Sequence, residues 1–203
     1  MVPNKEYEVP TLNQIYDMLL NQTQKIVKTN FTPDLIVAVS RGGLVPARIL
    51  LDLLEVQDLA TIRVEFYIGI NKTREQPIIT QSLSVSVTAK KVLIVDDISD
   101  TGKSLKLVTE HILTQGAKEA KTATIYAKPA STFTPDYFEK QTSSWVIFPW
   151  DAKETIRKIF QNQKGKRALN KEIAQVIKAG LPKRLAEKLL IDMQQEQNDV
   201  ASL

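Results

Sequence analysis

The run Val92-Leu93-Ile94-Val95 has no polar position and ends abruptly in Asp96-Asp97, after which Ile98-Ser99-Asp100-Thr101-Gly102 leads into a helical pattern. A strand that is apolar on both faces needs cover on both sides, and helices flanking a parallel sheet supply it. The same kind of run recurs at Leu35–Val39, Thr61–Phe66, Thr122–Ala127 and Trp145–Phe148, each bounded by Gly, Pro, Asp or Ser. Between them Leu44–Leu54 is rich in Leu and Ile, and Ser104–Leu113 sets Leu105, Val108 and Ile112 at helical spacing. This alternation predicts the α/β class, a parallel sheet flanked by helices, in one domain over residues 1–151. Asn71–Gln81 interrupts it with a polar stretch carrying Lys72, Arg74 and Glu75, and Ser82–Thr88 then alternates like a half-exposed strand. A polar excursion in a compact domain is a lid or a disordered loop. The residues favour neither.

From Asp151 onward the pattern is purely helical. Ile156, Ile159 and Phe160 repeat at three and four, as do Leu169, Ile173, Val176 and Ile177; Gly180-Leu181-Pro182 breaks the series, and Leu185, Leu189, Leu190 and Met193 resume it. Gly closing one helix and Pro opening the next is the usual punctuation. Lys164-Gly165-Lys166-Arg167 reads as a turn, and the polar tail past Gln194 as frayed. Residues 152–203 therefore form a C-terminal all-helical extension of unassigned role. A segment of roughly 50 residues buries too little for independent stability, so it is expected to dock on the first domain or on a partner subunit.

Charge and composition exclude several classes. The 203 residues hold 27 basic and 23 acidic side chains, a net charge of +4, and the excess lies wholly at the end: residues 1–150 hold 16 of each, whereas 151–203 hold 11 and 7. That balance is too mild to demand a nucleic-acid or membrane partner, and Lys164, Lys166, Arg167 and Lys171 read as a solvated face. The absence of cysteine excludes disulfides, thiolate metal sites and cysteine nucleophiles, and a reducing cytoplasm is the natural setting. The single histidine, His111, excludes a histidine-rich metal centre and leaves a Ser-His-Asp triad without support. It falls well inside the helix after the loop and reads as a surface residue. No apolar run approaches the roughly 18 residues of a membrane span. Met1–Pro10 is too polar for a signal peptide.

The chemistry concentrates on Val92–Ser104. A short polar loop that opens a helix turns backbone N–H groups, helped by hydroxyls, onto an anion. Gly102-Lys103-Ser104 invites a nucleoside-triphosphate P-loop, but that pattern requires another glycine where Asp97 stands, and two carboxylates would repel a bare triphosphate. Adjacent acids followed by an anion loop suit a ligand with both hydroxyls and a phosphate, such as a ribose 5-phosphate.

The stretch resembles the phosphoribosyl pyrophosphate motif of the type I phosphoribosyltransferases. Ala38-Val39-Ser40-Arg41-Gly42-Gly43-Leu44-Val45-Pro46 resembles their pyrophosphate loop, and Tyr126-Ala127-Lys128-Pro129-Ala130 and Trp145 through Pro149-Trp150-Asp151 resemble purine-binding segments. The four matches follow the family's order and are closest to the xanthine-guanine phosphoribosyltransferases. The resemblance implies the type I fold: a parallel sheet, a flexible loop and a small purine-binding hood. It also implies purine salvage, in which a free base and phosphoribosyl pyrophosphate give a nucleoside 5′-monophosphate and pyrophosphate.

Residue by residue, it implies that Ser40, Arg41, Gly42 and Gly43 hold the pyrophosphate and that Asp96 and Asp97 hold the ribose hydroxyls, with Asp97 beside the Mg²⁺. Ile98, Ser99, Asp100, Thr101, Gly102, Lys103 and Ser104 would surround the 5-phosphate. Asp100 would also face N7 of the purine as the catalytic group. Arg74, in a stretch resembling the family's mobile loop, would reach the pyrophosphate; a solvated surface arginine is the plain alternative. Lys128 would donate to O6 of a 6-oxopurine, and Trp145, with Val146 beside it, would stack on the base, unless the tryptophan is core. The family's acidic residue two positions after that tryptophan is Ile147 here, which leaves hypoxanthine, or even adenine, open beside guanine and xanthine. Partners implied are the two substrates and further copies of the chain in a dimer or tetramer, with no membrane and no nucleic acid expected. Two alternatives remain: an adenine phosphoribosyltransferase, and a phosphoribosyl-pyrophosphate-sensing regulator that binds nucleic acid through its basic tail. An orotate enzyme is disfavoured by the purine-side matches.

Overall fold

In the computed structural model, which describes residues 6–67, 76–163 and 165–201, the elements run β1 (Tyr7–Glu8), α1 (Leu12–Lys28), β2 (Leu35–Ser40), α2 (Leu44–Leu53), β3 (Leu59–Tyr67), β4 (Gln76–Gln81), β5 (Lys91–Ser99), α3 (Lys103–Thr114), β6 (Glu119–Ala127), β7 (Tyr137–Gln141), β8 (Trp145–Val146), α4 (Ala152–Asn162), α5 (Lys166–Lys178) and α6 (Lys183–Ala201). By packing they divide into two compact units, residues 15–142 and residues 1–14 with 143–203. The division by sequence at 151/152 is drawn on different grounds, the end of the family resemblance.

The unit of residues 15–142 is built on a six-stranded sheet of order β4-β3-β2-β5-β6-β7. All neighbours are parallel except β3 and β4. The apolar runs of β2 and β5 are buried on both faces, as their lack of alternation requires. On one face Leu35, Val37, Val39, Val92 and Ile94 pack with Leu105, Val108 and Ile112 of α3.

Three local expectations are corrected. Part of the polar excursion is strand, because Gln76–Gln81 pairs antiparallel with β3, whereas Asn71–Glu75, with Arg74, lies outside the described residues. Ser82–Thr88 is not a strand: the Ser86 hydroxyl bonds Thr88 Oγ1 (3.2 Å) and accepts from Thr88 N–H (3.3 Å), local bonds that compete with a ladder. Trp145–Phe148 pairs over only two residues, as β8 against β1.

The second unit joins β1 and β8 to the helices α4–α6. Its core is Ile147, Ala152, Ile156, Ile159, Ile173, Val176, Leu181, Ala186, Leu189 and Met193, with Tyr7 and Val9 packed against it. The turn expected at residues 164–167 is narrower, since α5 already begins at Lys166, and α6 continues past Gln194 to Ala201. Tyr7 Oη and Gln163 Nε2 both donate to the Glu172 carboxylate, tying β1 and the α4–α5 connection to α5. Burial first, and then the bonded carboxylate of Glu172, push the Tyr7 phenol up. Glu172→Ala removes the acceptor of both bonds in a part-buried site and should cost about 1–3 kcal/mol. A thermal melt measures this, and Glu172→Gln should recover part of the loss; equal stability of the alanine variant would contradict the assignment.

Candidate active site

Strand order decides where a ligand can sit. After β2 the chain returns through α2 to β3, and after β5 it returns through α3 to β6, on the opposite side of the central β2–β5 pair. The two connections turn away from each other and open a crevice beyond the carboxyl ends of β2 and β5, which is where ligands bind in open α/β sheets. The pairing of β2 with β5 ends at Ala38–Val95, and the register sets Ser40 and Asp97 level with each other just beyond it.

On the β2 side two glycines allow close approach. A Cβ at Gly42 would lie 2.5 to 2.6 Å from the Asp97 carboxylate atoms, so that carboxylate rests directly against the loop. A Cβ at Gly43 would lie 2.1 Å from Val95 O and 2.8 Å from Val39 O, and no side chain fits there. The Gly43 N–H donates to Val39 O (2.8 Å), so that amide serves the turn. Arg41 is exposed, and the Ser40–Arg41 peptide is cis.

On the β5 side Asp100 and Thr101 are exposed, Ile98 and Ser104 half-buried, and Ser99 buried. Gly102 takes φ 77° as the N-cap of α3 and, being glycine, supplies no side-chain cap. Lys103 N–H donates to Thr101 Oγ1 (3.4 Å), and a helix start of this kind is a favoured place for an anion. Residues 131–133, which sequence reasoning missed, brace this loop. Thr132 N–H and Oγ1 both donate to Thr101 O (3.1 and 2.9 Å), and Ser99 Oγ pairs with Ser131 Oγ (2.9 Å) and Phe133 O (3.1 Å). A Cβ at Gly102 would come within 2.6 Å of Phe133 and Ser131. Ser-Thr-Phe carries no sequence signal for this role.

Burial pushes the Asp96 carboxyl well above the usual carboxylate range, the neighbouring Asp97 adds to the rise, and the bond from Asp97 N–H (2.9 Å) pulls it back. The sign follows from linkage: the folded state holds this proton more tightly than the unfolded state, so stability is lost as pH rises through the folded value. Asp96→Asn should therefore melt higher than wild type at neutral pH in metal-free buffer, with the difference vanishing below about pH 4. Melting curves across pH test this, and a variant less stable at pH 7 would refute it.

Among the described residues no three His, Cys, Asp or Glu side chains gather into a metal cage. The adjacent Asp96 and Asp97 offer hard oxygen donors, and Mg²⁺ commonly takes one or two carboxylates and completes its shell from water and phosphate. The donor set fits Mg²⁺.

Lys128 follows β6 directly, and its N–H donates to Ser99 O (2.9 Å), which fixes its backbone beside the end of β5. Trp145 and Val146 belong to the other unit. Trp145 keeps 39% of its surface exposed, which sets aside a core role, while Val146 is buried. Ile147 is wholly buried in that unit's helical core. His111 lies on α3 with its Nε2 paired with Ser82 Oγ (3.0 Å). The structure thus brings together Ser40–Gly43 and Asp96–Ser104, with Lys128 behind them, and Arg74 lies outside the described residues.

Residues 11–157 match the family model of the phosphoribosyl transferase domain. The chain belongs to the phosphoribosyltransferase family. Its phosphoribosyltransferase region is 35% identical over 119 residues to the xanthine-guanine phosphoribosyltransferase of Nitratidesulfovibrio vulgaris, covering 58% of this chain and 68% of that one. The corresponding enzyme of Idiomarina loihiensis is 33% identical over 118 residues, covering 57% and 70%. Among solved structures, a purine phosphoribosyltransferase from Pyrococcus horikoshii superposes with a TM-score of 0.64 at 38% identity, over 71% of this chain and 93% of that one. Among the described residues of this phosphoribosyltransferase, no helix is long and apolar enough to cross a membrane.

Proposed function

We propose that this chain transfers the 5-phosphoribosyl group of phosphoribosyl pyrophosphate to a free 6-oxopurine, hypoxanthine, guanine or xanthine, giving the nucleoside 5′-monophosphate and pyrophosphate. The observation that carries the reading is the meeting of the Asp97 carboxylate with Gly42. It joins an acid pair suited to hydroxyls and a cation to a glycine loop at the mouth of the crevice, and the glycine-capped start of α3 lies beside them. The named relatives supply the purine.

In this reading the loop Asp100–Ser104 holds the 5-phosphate, Asp96 and Asp97 accept from the ribose hydroxyls, and Ser40–Gly43 with Arg41 hold the pyrophosphate. Asp97, with Asp96 beside it, would hold Mg²⁺, which when bound supplies positive charge against the leaving pyrophosphate. Asp100 accepts the N7 proton as N9 attacks the sugar carbon. Lys128 donates to the 6-oxo group, a contact an amino group would refuse. Trp145 and Val146 remain proposed contacts of the base, and Arg74 a proposed contact of the pyrophosphate. A domain of residues 1–151 with an added helical part over 152–203, a cytoplasmic setting and a homo-oligomeric state belong to the same proposal.

The test is to supply Mg²⁺, phosphoribosyl pyrophosphate and, separately, hypoxanthine, guanine, xanthine and adenine, and to follow monophosphate formation. Turnover of a 6-oxopurine is the expected result. Preference for adenine would overturn the role of Lys128, and binding of phosphoribosyl pyrophosphate without turnover of any base would favour the sensing regulator.

A further inference from the structure

The loop that opens α3 contains a peptide with two accessible orientations. Gly102 sits at φ 77°, and glycine adopts φ of either sign with little penalty. Turning the Thr101–Gly102 peptide over carries Gly102 to a negative φ and shifts Thr101 between the helical and extended ranges of ψ, both of which it can hold. A trans peptide points its C=O and N–H in opposite directions, so the flip exchanges the two. In one state the loop offers the Gly102 N–H to a ligand. In the other it offers the Thr101 carbonyl oxygen, which repels an anion.

Residue 132 selects between these states. Thr132 N–H and Oγ1 both donate to Thr101 O (3.1 and 2.9 Å), one for each lone pair that a carbonyl oxygen carries. The carbonyl is thereby held toward residues 131–133, and the Gly102 N–H is aimed away from them. The turn that carries Thr132 is itself fixed at several points. Ser131 N–H donates to Lys128 O (3.0 Å), and Ser131 Oγ meets Ser99 Oγ (2.9 Å) and donates to Phe133 O (2.8 Å). Phe133 packs against the core of the sheet unit, and Asp136 accepts from Thr122 N–H (2.8 Å) in β6.

We propose that Thr132 is a positioning residue for the phosphate loop: its two bonds to Thr101 O keep the Gly102 N–H turned toward the 5-phosphate of the bound sugar. The proposal rests on the phosphoribosyl transfer proposed above and adds a residue to it that acts through a neighbouring peptide. Because the bonds favour one orientation of the loop before and throughout the reaction, they strengthen ground-state and transition-state binding alike. Their loss therefore falls on KM and spares kcat. Thr132 is exposed, so the fold does not depend on its hydroxyl.

The test is Thr132→Val, which keeps the shape of the side chain and removes the hydroxyl. With a 6-oxopurine and Mg²⁺ at saturation, KM for phosphoribosyl pyrophosphate should rise roughly twofold to tenfold, the range that one hydrogen bond accounts for. The values of kcat, KM for the base and melting temperature should stay as in the wild type. Calorimetric titration with phosphoribosyl pyrophosphate and Mg²⁺, without base, should show the same loss of affinity. Thr132→Ser, which retains the hydroxyl, should restore the wild-type KM, and Thr134→Val, at an exposed threonine two positions on, should leave it unchanged. Thr132→Ala repeats the measurement should valine lower the melting temperature. In a wild type that turns over, an unchanged KM in both hydroxyl-free variants overturns the proposal, as does a loss that falls on kcat or one that Thr132→Ser does not repair. A wild type that neither binds phosphoribosyl pyrophosphate nor transfers its sugar overturns the function proposed above, and this role for Thr132 with it.

Discussion

Asp100→Ala should lower kcat by about 10²- to 10⁴-fold, the range that removal of a positioned proton acceptor produces. The melting temperature should stay within a degree or two, a shift worth well under ~1 kcal/mol in a chain this size, because Asp100 is exposed. The reason lies in where the chain puts this residue. Asp100 follows the last residue of β5 and stands just before Gly102, so it is anchored by the sheet on one side and by the braced start of α3 on the other. The KM for phosphoribosyl pyrophosphate should change much less than kcat, since the phosphate is held by the loop's amides and hydroxyls. Asp100→Asn, similar in shape but unable to take a proton, should be nearly as slow. Steady-state kinetics with a 6-oxopurine measure all three effects. A kcat within about twofold of wild type, far short of an acid–base contribution, would reduce Asp100 to a loop residue.

The second large effect belongs to two neighbouring glycines that should behave differently. Gly43→Ala places a methyl group 2.1 Å from a backbone carbonyl of β5 and 2.8 Å from one of β2. Neither backbone can yield without opening the central strand pair. We expect a loss above ~3 kcal/mol, beyond ordinary overpacking, read as a fall in melting temperature of more than roughly 6 °C or as insoluble protein. At Gly42 the three atoms nearest an added methyl group all belong to the Asp97 side chain. That carboxylate can swing aside, so the fold should survive while the dependence on Mg²⁺ shifts about 10- to 100-fold, as when a supporting group of a metal site is removed. Titrating Mg²⁺ in the assay and melting both variants separates the cases. Equal destabilisation of the two would mean that the loop, not the carboxylate, is what Gly42 protects.

The sequence made the centre of the sheet legible and its borders much less so. Val92–Val95 and Leu35–Val39 announce themselves because a strand buried on both faces leaves no room for polar residues. β7 did not, because Glu139, Lys140 and Gln141 dilute its pattern at the sheet edge. α1 was legible and overlooked: Thr11 and Gln14 form a capping box in which Gln14 Oε1 accepts from Thr11 N–H (2.8 Å) and Thr11 Oγ1 accepts from Gln14 N–H (3.2 Å). In the site, the acids and glycines could be named from their order along the chain. The contact of Asp97 with Gly42, the brace from residues 131–133 and the use of the Gly43 amide could not. Those are facts of packing between segments distant in sequence, and local pattern does not encode them.

The grouping of residues 1–14 with 143–203 bears on how the chain acquires its shape as it leaves the ribosome. The sheet unit is complete once residue 142 has emerged, and it can fold while the rest is still being made. Residues 1–14 must wait, since Tyr7 meets its partner Glu172 only 165 positions later. During that interval Tyr7 and Val9 have no core to enter. A stalled chain ending near residue 142 would carry a finished sheet and an unsatisfied leading segment, a nascent form on which chaperones and proteases could act.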